Sequence, residues 1–301
     1  MTRFGISIPQ TLLDRPFDPS RWRSWFQRAE ALGYDSLWAV EQVLGGTPTL
    51  ESLTLLSYAA ALTERVRLGV AVLILGLREP VALAKQLSSL DVLSGGRLTV
   101  GLGLGGNPKV YPAYGLSAEH RVSRFKDDVD LMKALWTEPR VSLDSPFHRV
   151  QQATMEPKPV QKPHPPVWFG GHHPDALQRA ATMADGFLGA GSISTQGFLE
   201  ELAILRACQL RPGFTVGKRV YLAIDDSREK ALQRLRGWFG AFYGKAEMAD
   251  DMAVYGSVDE VVAGLRRLTE ARLDFILLNP VDAEEAHLAR LAHEVIPRLT
   301  D

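Results

Sequence analysis

Short apolar runs and amphipathic stretches alternate along this chain from its first residues to its last. Arg3 to Ile8 reads as a strand. Asp18-Pro19 opens a helix, with Asp as N-cap and Pro at the first helical position. Trp22, Trp25, Phe26, Ala29 and Leu32 keep one face of it inward, and Gly33 ends it. Tyr34 to Ala39 is a second strand, Thr49 to Thr63 a helix, and Val66 to Leu75 a third strand. A helix over Pro80 to Leu93 stops at Ser94-Gly95-Gly96, before a fourth strand at Arg97 to Leu102. The next helix begins near Glu119 and carries Val122, Phe125, Val129, Met132 and Trp136 at spacings of three and four. Between Pro139 and Pro166 the chain holds seven of its 18 prolines, which no central strand or helix interior accepts. That stretch is an extended excursion with a short hairpin at Val141 to Ala153. Alternation then resumes. Strands are expected at Val167 to Phe169, Gly186 to Gly189, Val220 to Ile224 and Phe275 to Leu278. Helices are expected at Pro174 to Ala184, Thr195 to Cys208, from Asp226 onward, and at Asp282 to Leu299. The helix before the last strand opens with the capping box Ser257-x-x-Glu260.

Eight strands, each followed by a helix, predict one (β/α)8 TIM barrel over residues 1–301, with a Pro-rich insertion at about 139–166 between strands four and five. An open doubly wound sheet would need a phosphate turn after strand one, and Pro9-Gln10-Thr11 is not one. The rest of the chain suits a soluble cytoplasmic enzyme. Net charge is −1, which argues against nucleic acid and anionic membrane surfaces as partners. The longest uncharged apolar run, Leu68 to Leu77, is half a bilayer span, and a strand beginning at Arg3 leaves no room for a leader. Cys208 is alone, so neither a disulfide nor a Cys-based metal site is expected.

In a barrel the chemistry sits on the loops that follow the strands. Gly101 to Gly106 fits the dinucleotide fingerprint G-x-G-x-x-G, but such a fingerprint must open directly into a helix. Here Asn107-Pro108 to Pro112 follows, with two prolines and no helical period. It is not a Rossmann turn. Glycines closing a buried strand instead mark close approach by something flat or bulky, or a bulge. Gly170-Gly171-His172-His173 and Gly189-Ala190-Gly191-Ser192 follow strands five and six, and each runs into a helix. Two such turns side by side suit an anion, although ordinary helix caps would look the same singly. His172 and His173 are adjacent and have no carboxylate at ligand spacing, so no metal is expected.

Several blocks together resemble the luciferase-like monooxygenase superfamily. They are Trp38-Ala39-Val40-Glu41-Gln42, Thr63 to Gly69, Leu93 to Gly103, Leu131 to Glu138, Pro157 to Gln161 and Gly256 to Val261. The resemblance implies a flavin-type barrel using coenzyme F420 or FMN. It implies that the Ala71-Val72 bond is a cis peptide backing the isoalloxazine ring. It implies that Gly103, Gly105, Gly106 and Asn107 line the ring or its ribityl chain. It implies that Gly170, Gly171, His172, Ala190, Gly191 and Ser192 hold the phosphate. Many relatives carry an acidic residue followed by His at the end of strand two, where this chain has Glu41-Gln42. Gln cannot exchange a proton near neutral pH, which leaves Glu41 as the titratable candidate for catalysis unless an Arg at the barrel rim pairs with it.

The resemblance thus implies an F420-dependent oxidoreductase passing a hydride between the cofactor and a small organic substrate. The alternative it implies is a reduced-FMN monooxygenase served by a flavin reductase, and a third possibility is a flavin-binding protein that does not turn over. A homodimer is expected by resemblance alone. Tyr111, Tyr114, Phe147 and Trp168 are candidates for an apolar lid, or for core.

Overall fold

The computed structural model describes residues 1–11, 13, 18–105, 107–281 and 284–300. Eight parallel strands form the barrel: β1 (Arg3–Ser7), β2 (Ser36–Ala39), β3 (Arg67–Val70), β4 (Leu98–Gly103), β5 (Val167–Phe169), β6 (Gly186–Gly189), β7 (Thr215–Ile224) and β8 (Phe275–Pro280). Each pairs with the next, and β8 returns to β1 through Arg3↔Phe275 to Ile6↔Leu278, so the sheet closes. The expected barrel is therefore the observed one. Around it lie α1 (Pro19–Ala31), α2 (Ser52–Leu62), α3 (Pro80–Leu93), α4 (Arg121–Thr137), α5 (Pro174–Met183), α6 (Thr195–Ala207), α7 (Arg228–Tyr243), α8 (Val258–Glu270) and α9 (Glu284–Arg290). Both halves of the Ser257/Glu260 capping box are made at the start of α8. The excursion carries the hairpin Val141–Asp144 and Arg149–Ala153.

The departures from expectation have local causes. The third strand does not run unbroken to Leu75. It stops at Val70, the Ala71–Val72 peptide is cis, and Leu73–Ile74 re-pairs with Leu102–Gly103. The seventh strand begins at Thr215 rather than Val220, because Lys218 and Arg219 each find a place that an apolar reading of the strand overlooks. A 3-10 helix at Pro108–Tyr114, capped by Asn107 and with Pro112 inside it, fills the stretch expected to be irregular. A short strand at Val254–Gly256 extends the sheet beside β7. The final helix is split by a π turn at Leu291–Val295 and restarts at Pro297, and its expected first residue, Asp282, lies outside the described residues.

The lower barrel is plugged by Trp38, Trp168, Leu188, Phe275 and Leu277. Trp168 is thus core and not lid; the Trp38 and Trp168 ring centroids are 5.3 Å apart. Three large aromatics fit because glycines face them: a Cβ on Gly69 would lie 2.5 Å from Trp38, and one on Gly5 2.6 Å from Phe275. Tyr111 is also buried, with its ring against Gly76.

Opposite the loop face, Arg97 ties three elements together. It is 9% exposed and donates to Thr63 Oγ1 (2.8 Å), Val66 O (2.8 Å), Ala60 O (3.0 Å), Thr63 O (2.9 Å) and Ser94 O (2.6 Å). The ends of α2 and α3 are thereby fixed to the start of β4. Removing the guanidinium leaves buried carbonyls without donors, so Arg97→Met should lower the unfolding free energy by about 3 kcal/mol, measured by urea denaturation. Ligand affinity in the folded variant should be unchanged, since this end of a barrel carries stability and not chemistry.

Candidate active site

A cavity of about 450 Å³ opens above the plug, at the C-terminal strand ends. Ala71, Val72, Gly103, Gly105, Gly170, Gly171, His172, Ala190, Gly191 and Ser192 all line it. Asn107 does not; its side chain accepts from Lys109 N at 3.0 Å and caps the 3-10 helix. Gly106 lies outside the described residues. Glu41 and Gln42 are not among the lining residues either.

The glycines of β4 are explained at atomic level. A Cβ on Gly101 would sit 2.0 Å from Val70 O, and one on Gly103 2.7 Å from Val72 Cγ2. A Cβ on Gly170 would sit 3.2 Å from Val72 Cγ1. Gly105, at φ +72°, faces Ile74 Cγ2 at 2.8 Å. The group that crowds these glycines is the broken end of β3 itself. Val72 projects into a groove that only residues without a Cβ can form, and Val72 with Ala71 then makes one wall of the cavity.

Glu41 fastens that wall. Its side chain is 2% exposed; Oε1 accepts from Arg78 Nε at 2.9 Å and from Arg78 Nη2, and Oε2 accepts from Ile74 N. Burial pushes the Glu41 carboxyl up, while Arg78, with two donors on Oε1, and the Ile74 amide on Oε2 pull it back. Arg78 also donates to Glu51 Oε1 at 2.8 Å. Gln42 accepts from Thr47 Oγ1 at 2.6 Å through its Oε1.

On the β5–β6 side, Gly171 packs its bare α-carbon against Ala176 and Gly191 against Tyr221, where Cβ atoms would lie 2.8 and 2.5 Å away. α5 and α6 start just beyond, capped by His173 and Ser194. His172 bridges two neighbours, with Nδ1 3.3 Å from Glu201 Oε1 and Nε2 3.4 Å from Ser192 Oγ. Behind the loop, Lys218 Nζ donates to Ala190 O (3.2 Å) and Ile193 O (2.9 Å). Burial brings its pKa down to about 7, and Glu201 opposes that shift.

Arg121, Arg179 and Arg219 also line the cavity, with His172 and His173, and no carboxylate does among the described residues. Arg121 Nη1 is buried without a hydrogen-bond partner. The three arginines, with Lys218, Glu201 and Tyr243, were missed in the sequence. Lys218 and Arg219 interrupt an apolar run and so hid the first half of β7. Arg121 stands at the open end of an amphipathic stripe, where a basic residue reads as solvated surface.

A model of the luciferase-like monooxygenase family matches residues 2–273. An F420-dependent glucose-6-phosphate dehydrogenase of Beutenbergia cavernae is 28% identical over 322 residues, spanning 94% of each chain. An FMNH(2)-dependent dimethylsulfone monooxygenase of Pseudomonas putida is 28% identical over 219 residues, 69% of this chain and 59% of that one. In three dimensions the fold matches an F420-dependent secondary alcohol dehydrogenase bound to an F420–acetone adduct, with TM-score 0.82, 18% identity and coverage of 100% and 99%. It also matches the monooxygenase RslO1 from Streptomyces bottropensis, with TM-score 0.83, 24% identity and coverage of 98% and 99%. The chain belongs to the luciferase-like monooxygenase family, a family of oxidoreductases.

Proposed function

We propose that this protein is an F420-dependent oxidoreductase that transfers a hydride between the deazaflavin and a small organic substrate. The observation that carries the proposal is the cavity itself, a shaped apolar wall facing a rim that carries Arg121, Arg179 and Arg219 and, among the described lining residues, no carboxylate. Its volume of about 450 Å³ suits a cofactor of this size. The buried, unpartnered Arg121 Nη1 calls for an anion, and an orphaned buried donor of this kind is costly until one arrives. Arg121 and Arg179 exceed what one phosphate flanked by His172 and Ser192 requires, which favours the more acidic deazaflavin coenzyme over FMN. The relative that matches along 94% of its length also carries F420-dependence in its name. Reduced-FMN monooxygenation, with a partner reductase, is the second reading, favoured by the similarity to the P. putida enzyme.

Each residue then has a task. Ala71 and Val72 would support one face of the ring, and Gly103 and Gly105 would let its edge and the ribityl chain lie along β4. Gly171, His172, Ala190, Gly191 and Ser192, with Gly170 at the strand end, would receive the phosphate. The deazaflavin, when bound, supplies the hydride chemistry, and the protein supplies position and field. Glu41 serves as a positioning residue, because both of its oxygens are committed to Arg78 and Ile74. Gln42 neighbours it without a proton to exchange.

Fluorescence titration of the purified protein with F420 and with FMN tests the proposal. Saturable micromolar binding of F420, with FMN at least about tenfold weaker, is the expected result. The reverse preference would move the protein to the monooxygenase reading, and binding of neither would overturn both. Gly103→Val drives a branched side chain into Val72, so it should weaken cofactor binding by about tenfold or more while circular dichroism stays native. Lys218 gives a pH signature. With its folded pKa near 7, below the ordinary 10.5, the unfolded chain holds more protons between those values, so stability rises with pH across that window. Urea midpoints at pH 7 and 9.5 should show the rise in the native protein and a smaller one in Lys218→Met.

A further inference from the structure

We infer that Arg219 is the anchor for an oxyanion, carboxylate or phosphate, on the substrate, and that this enzyme's substrates are small anions. The inference rests on the cofactor reading above and names the substrate class it left open. In the closed ring β3 and β7 lie four strands apart in either direction, so they face each other across the barrel. Val72, at the end of β3, would back one face of the cofactor ring. Arg219, on β7, then stands on the side from which substrate meets the other face.

The guanidinium is held as a binding group is held. Its Nε donates to Asn279 Oδ1 at 2.7 Å, and Asn279 is 7% exposed at the end of β8. Its plane lies over the Tyr221 ring, with Cζ 4.7 Å from the centroid. Tyr221 is fully buried, and its hydroxyl meets that of Tyr243 at 2.9 Å. Asn279 and Tyr221 fix the plane and use only Nε. Neither Nη has a hydrogen-bond or ion-pair partner among the described residues, although Arg219 lines the cavity. Two parallel N–H groups on a fixed plane match the two oxygens of a carboxylate or phosphate.

No carboxylate among the described lining residues would repel or neutralise an incoming anion. Asn279 acts through Arg219 and is a positioning residue.

The test uses cofactor-loaded protein titrated with acetate, methyl phosphate and the uncharged acetamide. Two readouts are followed, the visible difference spectrum of the bound cofactor and the heat of binding. At least one anion should bind saturably and about tenfold or more tighter than acetamide. Arg219→Gln should lose that preference and Arg219→Lys should keep part of it, while the cofactor Kd of each stays within about twofold of native. Equal binding of anions and acetamide by the native protein would overturn the inference. So would an Arg219→Gln variant that still prefers anions, or one whose cofactor affinity falls instead, which would assign Arg219 to the cofactor. Failure of any cofactor to bind is a separate result, which removes the parent reading and this inference with it.

Discussion

The upper half of this barrel depends on where Val72 sits. A parallel strand cannot turn its backbone inward without meeting its neighbour, and here β3 does so at Ala71–Val72, with the Val70 carbonyl and the Val72 methyls moved into space that β4 and β5 would normally fill. Only glycine at 101, 103 and 170 makes that space. The displacement is fixed on its far side by charge, since Glu41 receives the Ile74 amide and Arg78 together. Packing on one side and a buried ion pair on the other leave Val72 a single position, and a wall meant to support a flat ligand needs that degree of definition.

Stability and chemistry are placed at opposite ends of the same strands. Arg97 satisfies carbonyls at the lower rim with all of its bonding capacity turned inward to protein. Arg121 and Arg219, at the upper rim, are buried or half-buried with N–H groups left over. The residue type is the same in each case, and the number of unsatisfied donors is what separates the structural role from the binding role proposed for the other two. Between the two ends, the Trp38–Trp168–Phe275 plug keeps the barrel from collapsing and gives the cavity its floor.

Much of this was legible in the chain, for physical reasons. The alternation of apolar strand and amphipathic helix is a local property, so it predicted the closed barrel and the hairpin. The glycines of β4 announced close approach, because their φ freedom and missing Cβ can be read one residue at a time. Which group approaches is a tertiary fact: the sequence left a flat or bulky group and a bulge both open, and the structure puts Val72 against these glycines. Lys218 and Arg219 were illegible for a different reason. An apolar template ends a strand at two consecutive charges, yet one reaches loop carbonyls outside the barrel wall and the other the cavity within it. Glu41 shows the limit most plainly: its residue type left proton transfer and an ion pair with a rim Arg both open, and only the tertiary structure shows which groups, Arg78 and the Ile74 amide, its oxygens meet.

The order of chemistry around the rim follows from these placements. The β3–β4 wall is apolar and acts by shape. The β5–β6 wall offers glycine backbone, His172 and Ser192, backed by Lys218, and is where the proposed function puts the phosphate. The β7–β8 wall carries a guanidinium clamped by Asn279 and Tyr221. A barrel that held only one ligand would have no need to keep a second fixed cation directly across from the shaped wall. On the proposed reading, shape on one side and directed charge on the other would hold two reactants at opposite faces of one planar ring, which is the arrangement a transfer between them requires.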